Sequence, residues 1–258
     1  MVDEIRWVEA LILVGGKGTR LASAVKDRPK PMAEVAGRPF MERLLLVLRA
    51  EGIRRVILCT GHLGEMVEAY FGDGSRWDME LEYSHEPMPL GTAGAARHAL
   101  NRIRGERCLV LNGDSFCRID FNHLLNTHLK RQARATLWLV PMDGCRRYGT
   151  VVVGANDTIT SFREKTAVAR AGLINAGIYL VERETIAGIP EGRAVSWETD
   201  VFPSMIGRGL CAVAGTGPFL DIGTPESFAE AQRMDWPGMV RSDRAQCVKM
   251  RGSVSEDA

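Results

Sequence analysis

Three stretches of this chain carry residue types that handle phosphate and divalent cations. In the first, ALILVGGKGTRLASAVKDRPKPM, the apolar run Ala10–Val14 meets Gly15, Gly16, Lys17, Gly18, Thr19 and Arg20, and Lys30 follows between two prolines. Consecutive glycines let a ligand approach bare backbone and present N–H groups to it. Arg20 adds a fork of donors and Lys30 a point charge. A Walker A loop needs a different glycine–lysine spacing, and a dinucleotide fingerprint would need glycine where Leu21 stands. A tight strand-to-helix turn with solvated bases is the competing reading. The second stretch, LVLNGDSF, places Asp114 just past an apolar run, and the third, FLDIGTPESF, does the same for Asp221. Two carboxylates at strand ends suit Mg²⁺, which takes few protein oxygens and leaves room for phosphate and water. Asn112-Gly113 is also a sufficient signal for a plain hairpin turn.

Weaker signals accompany these. EPMPLGTAGA holds Glu86 and a glycine-rich turn, Gly91-Thr92, that opens a helix. Such a turn suits a base or a phosphate, and equally a simple N-cap by Thr92. RRYGTV supplies Tyr148 and Gly149, SFREKTA supplies Glu164 and Lys165, and GLINAGIYL supplies Asn175 and Gly177. Taken singly, each of these is a surface charge or a strand residue.

The elements that must position these groups alternate. VEALILV, RRVILCT, ELEYS and RCLVLNG read as strands; PFMERLLLVLRAEG, GEMVEAYFG and TAGAARHALNRI read as helices. That rhythm implies an α/β fold, a Rossmann-like, mostly parallel sheet with helices on both faces. The loops after the strands then gather at its carboxyl edge, where ligands bind. From Ala135 the texture turns β-rich, with ATLWLVP, GTVVVG, TITSFRE and GLINAGIYLVE, and reads as a second half that lids the first. ETDVFPSMIGRG and SFAEAQRM read as helices. The expected organisation is one domain over 1–234, in halves of about 8–134 and 135–234, and a loosely held polar tail, 235–258, open to use as an oligomer arm.

Composition narrows the function classes. Of 258 residues, 33 are Lys or Arg and 32 Asp or Glu, a balance that gives no support for a nucleic-acid or membrane surface. No apolar run approaches the about 18 residues of a membrane span, and MVDEIRWVEA lacks a signal-peptide pattern. The six cysteines form no C-x-x-C pair, which points to a reducing, cytoplasmic setting.

In this order the segments G-G-x-G-T-R-L, P-K-P-M, N-G-D, E-K and D-I-G-T-P resemble the sugar-1-phosphate nucleotidyltransferases, over residues 8 to about 233. The variants VKDRPKPMAEVAGRPF, LGTAGA and LNGDSF look closest to the branch that guanylylates D-glycero-α-D-manno-heptose 1-phosphate for bacterial surface glycans. The resemblance implies a nucleotide wrapped by Gly15, Gly16, Gly18 and Thr19, with Arg20 on its β,γ-phosphates and Lys30 at the reacting centre. It implies Glu86, Gly91 and Thr92 at base and ribose, and Mg²⁺ on Asp114 and Asp221. The sugar would meet Tyr148, Gly149, Glu164 and Asn175 in a β-rich sugar-binding lid, with Lys165 on its phosphate. Thr166 departs from the proline that many relatives carry after E-K.

The implied partners are GTP and a sugar 1-phosphate, whose oxyanion attacks the α-phosphorus in line and expels pyrophosphate. No Ser, His or Cys nucleophile is needed, so positioning and cations are the catalysis. A carboxylate, an acceptor only, can take the adjacent N1–H and N2–H₂ of guanine, which makes Glu86 the expected reader of the base; a solvated glutamate before Pro87 is the plainer alternative. Mannose 1-phosphate, UTP or CTP are alternative substrates, and a catalytically dead nucleotide-sugar sensor is a third reading.

Overall fold

The computed structural model describes residues 8–16, 28–145, 148–163 and 171–240. Strand β1 (Glu9–Leu13) is buried on both faces, so its apolar residues form a continuous run and not an alternating one. A two-residue pair, β2 (Glu34–Val35) and β3 (Arg38–Pro39), leads into helix α1 (Phe40–Ala50). There follow β4 (Arg55–Thr60), α2 (Gly64–Phe71), β5 (Glu80–His85), α3 (Gly91–His98), β6 (Arg107–Asn112) and β7 (Ser115–Cys117). Helix α4 (Phe121–Lys130) was not anticipated from the sequence, although Asp120 caps it by accepting from the His123 N–H at 2.9 Å and its apolar residues have helical spacing.

The second half brings β8 (Ala135–Met142), β9 (Thr150–Val153), β10 (Ile159–Arg163), β11 (Gly172–Glu182) and α5 (Arg183–Ala187). It closes with α6 (Phe202–Ser204), β12 (Leu210–Ala214), β13 (Phe219–Asp221), α7 (Pro225–Ala231) and α8 (Trp236–Val240). The helix expected over ETDVFPSMIGRG is instead a π turn, Trp197–Val201, followed by the single turn of α6. Pro203 is tolerated only in a first helical turn, and Gly207 and Gly209, at φ of 74° and 85°, then turn the chain away.

Among the described residues nine strands form one sheet. β6, β1, β4 and β5 are parallel neighbours, as the alternation implied. β11 enters antiparallel: β8 lines one of its edges throughout, while β6 and β9 share the other. The β-rich half is thereby continuous with the first. β11 bends where its register shifts between Asn175 and Tyr179, around Gly177 at φ 74°, a left-handed conformation that glycine adopts freely. That bend lies beside the carboxyl end of β6, since Ile178 pairs with Leu111.

The stretch expected to be a loose tail from residue 235 opens on a packed helix, α8. Trp236 is 1% exposed, sits edge-on to Phe40 and Phe116, and donates its indole N–H to the Ala231 carbonyl at 2.9 Å. A lone tryptophan in a polar stretch carries no periodicity to announce it. Residues 241–258 lie outside the described residues.

Candidate active site

The carboxyl edge of β6 and β1 gathers three of the charged residues singled out by the sequence, Lys30, Asp114 and Asp221. The Gly113 N–H bonds the Leu13 carbonyl at 2.9 Å, which ties the chain beyond β6 to the end of β1 and sets Asp114 there. β7 then pairs antiparallel with β13, with Ser115 opposite Asp221, and the Ile222 N–H donates to the Asp114 carbonyl at 3.0 Å. This short ladder brings together two carboxylates that are more than a hundred residues apart. Lys30 arrives on a 3-10 turn, Lys30–Met32, anchored by the buried Pro31 and Met32. Its ammonium lies 2.6 Å from Asp114 Oδ2 and 3.6 Å from Asp221 Oδ1.

The lysine and Asp221 side chains are only 11% and 13% exposed, whereas Asp114 is 37% exposed and forms the open side of the cluster. Two carboxylates so placed repel unless a cation stands between them, and here the ammonium does. The Tyr148 hydroxyl donates to Asp221 Oδ2 at 3.2 Å, with its ring edge-on to Phe219. Tyr148 therefore orients a carboxylate of the cluster. Two residues before Asp114, Asn112 Oδ1 is a buried acceptor with no partner among the described residues.

The donor set suits a hard divalent cation: carboxylate oxygens converging on one cationic point, with one carboxylate open to solvent. Among the described residues no three His, Cys, Asp or Glu side chains gather into a metal-holding group. Asp114 and Asp221 are the two carboxylates that would hold such a cation.

A second part of the edge lies at the end of β1. Val14 and Gly15 both donate their N–H groups to the Cys59 carbonyl at 2.9 Å, leaving Gly15 and Gly16 exposed. A Cβ on Gly15 would stand 2.5 Å from Glu86 Oε1, so glycine lets the Glu86 carboxylate sit this close without moving. Glu86 Oε2 accepts the Leu90 N–H at 3.0 Å. Glu86 is therefore held by its own loop, facing the glycines, and is not a freely solvated glutamate. Burial pushes its carboxyl above the usual range, with the Leu90 amide opposing.

The Gly91–Thr92 turn packs against the segment 193–198. The first amides of α3, Ala93 and Gly94, donate to the Val195 carbonyl at 2.9 and 3.1 Å, and the Val195 N–H returns to Leu90 at 2.8 Å. A Cβ on Gly91 would meet that same Val195 carbonyl at 2.6 Å. Thr92 Oγ1 accepts the Trp197 N–H at 2.9 Å and donates to Glu198 Oε2 at 3.1 Å. Glu198 also accepts from the Ser196 hydroxyl at 2.9 Å and from the Tyr179 hydroxyl at 3.0 Å. Tyr179 in turn accepts from Asn175 Nδ2 at 2.9 Å, and Asn175 Oδ1 accepts the Gly177 N–H at 2.9 Å.

One chain of hydrogen bonds thus runs from the first turn of α3 to the bend of β11. Thr92 and Asn175 are engaged inside it. Val195, Tyr179 and Glu198 were missed by sequence reasoning because the 193–198 segment meets α3 only in three dimensions. The available signal was Glu198 two positions after Ser196, a local capping pattern; the Ser196 hydroxyl does accept the Glu198 and Thr199 amides.

Gly149 lies beside Tyr148, with the Arg163 carbonyl 2.9 Å from where its Cβ would be. Gly18, Thr19, Arg20, Glu164 and Lys165 lie outside the described residues. The thiols of Cys59, Cys108, Cys117, Cys145 and Cys211 are buried and unpaired. Burial pushes the first three up, Cys117 to about 12, which makes them unreactive core residues. No described helix is long and apolar enough to cross a membrane.

The profile of the nucleotidyl transferase family matches residues 9–236. A mannose-1-phosphate guanylyltransferase of Mycobacterium tuberculosis is 41% identical over 86% of this chain, which spans 62% of that protein's length. A D-glycero-alpha-D-manno-heptose 1-phosphate guanylyltransferase of Aneurinibacillus thermoaerophilus is 34% identical over 88% of this chain and 97% of its own. The crystal structure of HddC from Yersinia pseudotuberculosis complexed with GMP-PN superimposes with a TM-score of 0.77 at 29% identity, covering 87% of this chain and 98% of that one. The chain belongs to the nucleotidyl transferase family, and the relatives it matches within that family are sugar-1-phosphate nucleotidyltransferases.

Proposed function

We propose that the chain transfers guanylyl from GTP to a manno-configured sugar 1-phosphate, giving a GDP-sugar and pyrophosphate for surface-glycan synthesis in the cytoplasm. D-glycero-α-D-manno-heptose 1-phosphate is the favoured acceptor. The observation that carries the reading is the convergence of Lys30, Asp114 and Asp221 at the sheet's carboxyl edge. A dead-site sensor has no need of such a cluster. The two kinds of guanylyltransferase among the relatives carry names that share the manno ring, the heptose being extended beyond C6. Mannose 1-phosphate is the second reading, favoured by the 41% relative.

The reacting groups are both anions, and the acceptor phosphate is already a nucleophile at neutral pH. The chain must bring them together and offset their repulsion. Lys30 offers fixed positive charge at the reacting phosphates. Mg²⁺ held by Asp114 and Asp221 would neutralise charge on the transferred phosphoryl group and the leaving pyrophosphate. Tyr148 keeps Asp221 turned toward that point. Glu86, stationed over Gly15, would take the guanine N1–H and N2–H₂, while the Glu198 chain holds the α3 turn against the sugar strand. Arg20 and Lys165 would add cations on the nucleotide and sugar sides respectively, beside Gly18, Thr19 and Glu164.

A pyrophosphate-release assay crossing four nucleoside triphosphates with heptose, mannose and glucose 1-phosphates tests the reading. GTP with a manno-configured acceptor should give the highest kcat/KM. A preference for UTP with glucose 1-phosphate would overturn it.

A further inference from the structure

A cleft of about 470 Å³ lies apart from the Lys30 cluster, lined by Arg134, Arg193 and Arg208 together with Val195, Asp200 and Met205. Arg134 stands before β8 and Arg208 before β12, at the opposite edge of the sheet from Asp114, because β8 and β6 are both antiparallel to β11. Five other arginines, Arg55, Arg97, Arg104, Arg107 and Arg131, each hold a carboxylate. The side chains of Arg134, Arg193 and Arg208 have no carboxylate or carbonyl partner among the described residues.

Asp200 is the one acid among the lining residues. Its Oδ2 is engaged by the Ser196 N–H at 2.7 Å. Nearby Glu191 is taken by Arg97 at 3.0 Å. The cleft therefore carries an excess of guanidinium charge, at a volume that suits a small ligand. Guanidinium forks bind phosphate oxygens in pairs.

We propose that this cleft is a second binding site, for a phosphate-bearing small molecule, and that its occupant acts on the α3 turn through residues 193–200. The connection is covalent and short. Val195 lines the cleft and also caps the Ala93 and Gly94 amides, while Asp200 holds Ser196, whose hydroxyl meets Glu198. A ligand that draws Arg193 inward bears directly on that cap. The significance of the α3 turn for GTP rests on the proposed guanylyl transfer; occupancy of the cleft does not.

Calorimetric titration of the full chain with inorganic pyrophosphate, and separately with GDP, tests the site without turnover. Wild type should show a binding event beyond that at the Lys30 cluster. Arg193→Ser with Arg208→Ser should weaken that event at least tenfold, and Asp114→Asn should keep it. Tighter binding of GDP than of pyrophosphate at that event would identify a nucleotide as the occupant, and equal binding a simple phosphate anion. Hydrogen exchange should slow at the Ala93 and Gly94 amides on binding in Asp114→Asn, and not in the arginine double variant. Titrations identical between wild type and the double variant would overturn the site, whatever the transfer assay shows. Binding without amide protection would overturn the coupling.

Discussion

Two polar assemblies at the same sheet edge are built on opposite principles. The Lys30–Asp114–Asp221 cluster joins full charges from three elements far apart in sequence, and its Asp114 side stays open to solvent. The Thr92–Glu198–Tyr179–Asn175 chain uses one carboxylate with neutral hydroxyls and amides, each satisfied by the next. The first has capacity left for a ligand. The second has used its capacity inside the protein and fixes where α3 and β11 stand. Residue type alone does not separate a group that acts on substrate from one that aligns the groups that do.

The sharpest way to break this division is Asp114→Asn, which preserves shape and removes charge. Turnover should fall by about 10²–10⁴-fold. Thermal stability should change by about 1 kcal/mol or less, because Lys30 keeps Asp221 and the removed charge was partly exposed. A large loss of melting temperature with proportionate loss of activity would make the cluster structural. Glu198→Gln should act more gently, since an amide cannot accept from three hydroxyls with both of its polar atoms. A cost of about 1–3 kcal/mol in stability is expected, with KM rising for GTP and for the sugar phosphate together. A loss confined to kcat would contradict an aligning role.

Between these extremes lies Glu86, which both holds its loop and faces the ligand edge. Glu86→Gln should lower kcat/KM for GTP about tenfold and narrow the margin over UTP, as expected for about 1–3 kcal/mol of base discrimination. An unchanged nucleotide preference would remove Glu86 from base recognition. The smallest effect concerns stability against pH. Burial raises the Glu86 pKa in the fold above its unfolded value, so the charged carboxyl destabilises the fold above the raised value. That penalty disappears as pH falls through the folded and then the unfolded pKa. Glu86→Gln should therefore melt higher than wild type at neutral pH, a gain that vanishes below the ordinary carboxylate range. Equal gain at both pH values would assign it to something other than charge.

How far this was legible in the sequence follows the same division. The parallel strands β1, β4 and β6 announced themselves, because strands covered on both faces read as apolar runs, whereas the partly exposed β5 was legible only as a short strand. Asp114 and Asp221 were legible because each follows such a run. Their meeting through β7 and β13 was not, since three-residue strands carry too little pattern. Thr92 and Asn175 were singled out through the family resemblance; the hydrogen-bonded chain that engages them was not legible. The Val195–Glu198 segment that engages Thr92 is separated from it by about a hundred residues, and no local period encodes that contact. Trp236 was lost into the tail for a similar reason: one aromatic among polar residues has no pattern, yet it fills a pocket against Phe40 and Phe116.

The most direct test of the charged cluster as the seat of guanylyl transfer is the initial rate of GDP-sugar formation as Mg²⁺ is titrated, in wild type and in Asp114→Asn. The wild-type rate should saturate with Mg²⁺ and vanish with EDTA, and the variant should need far more Mg²⁺ for a much lower plateau. A wild-type rate indifferent to EDTA, or a variant with the same Mg²⁺ dependence and the same plateau, would contradict the assignment.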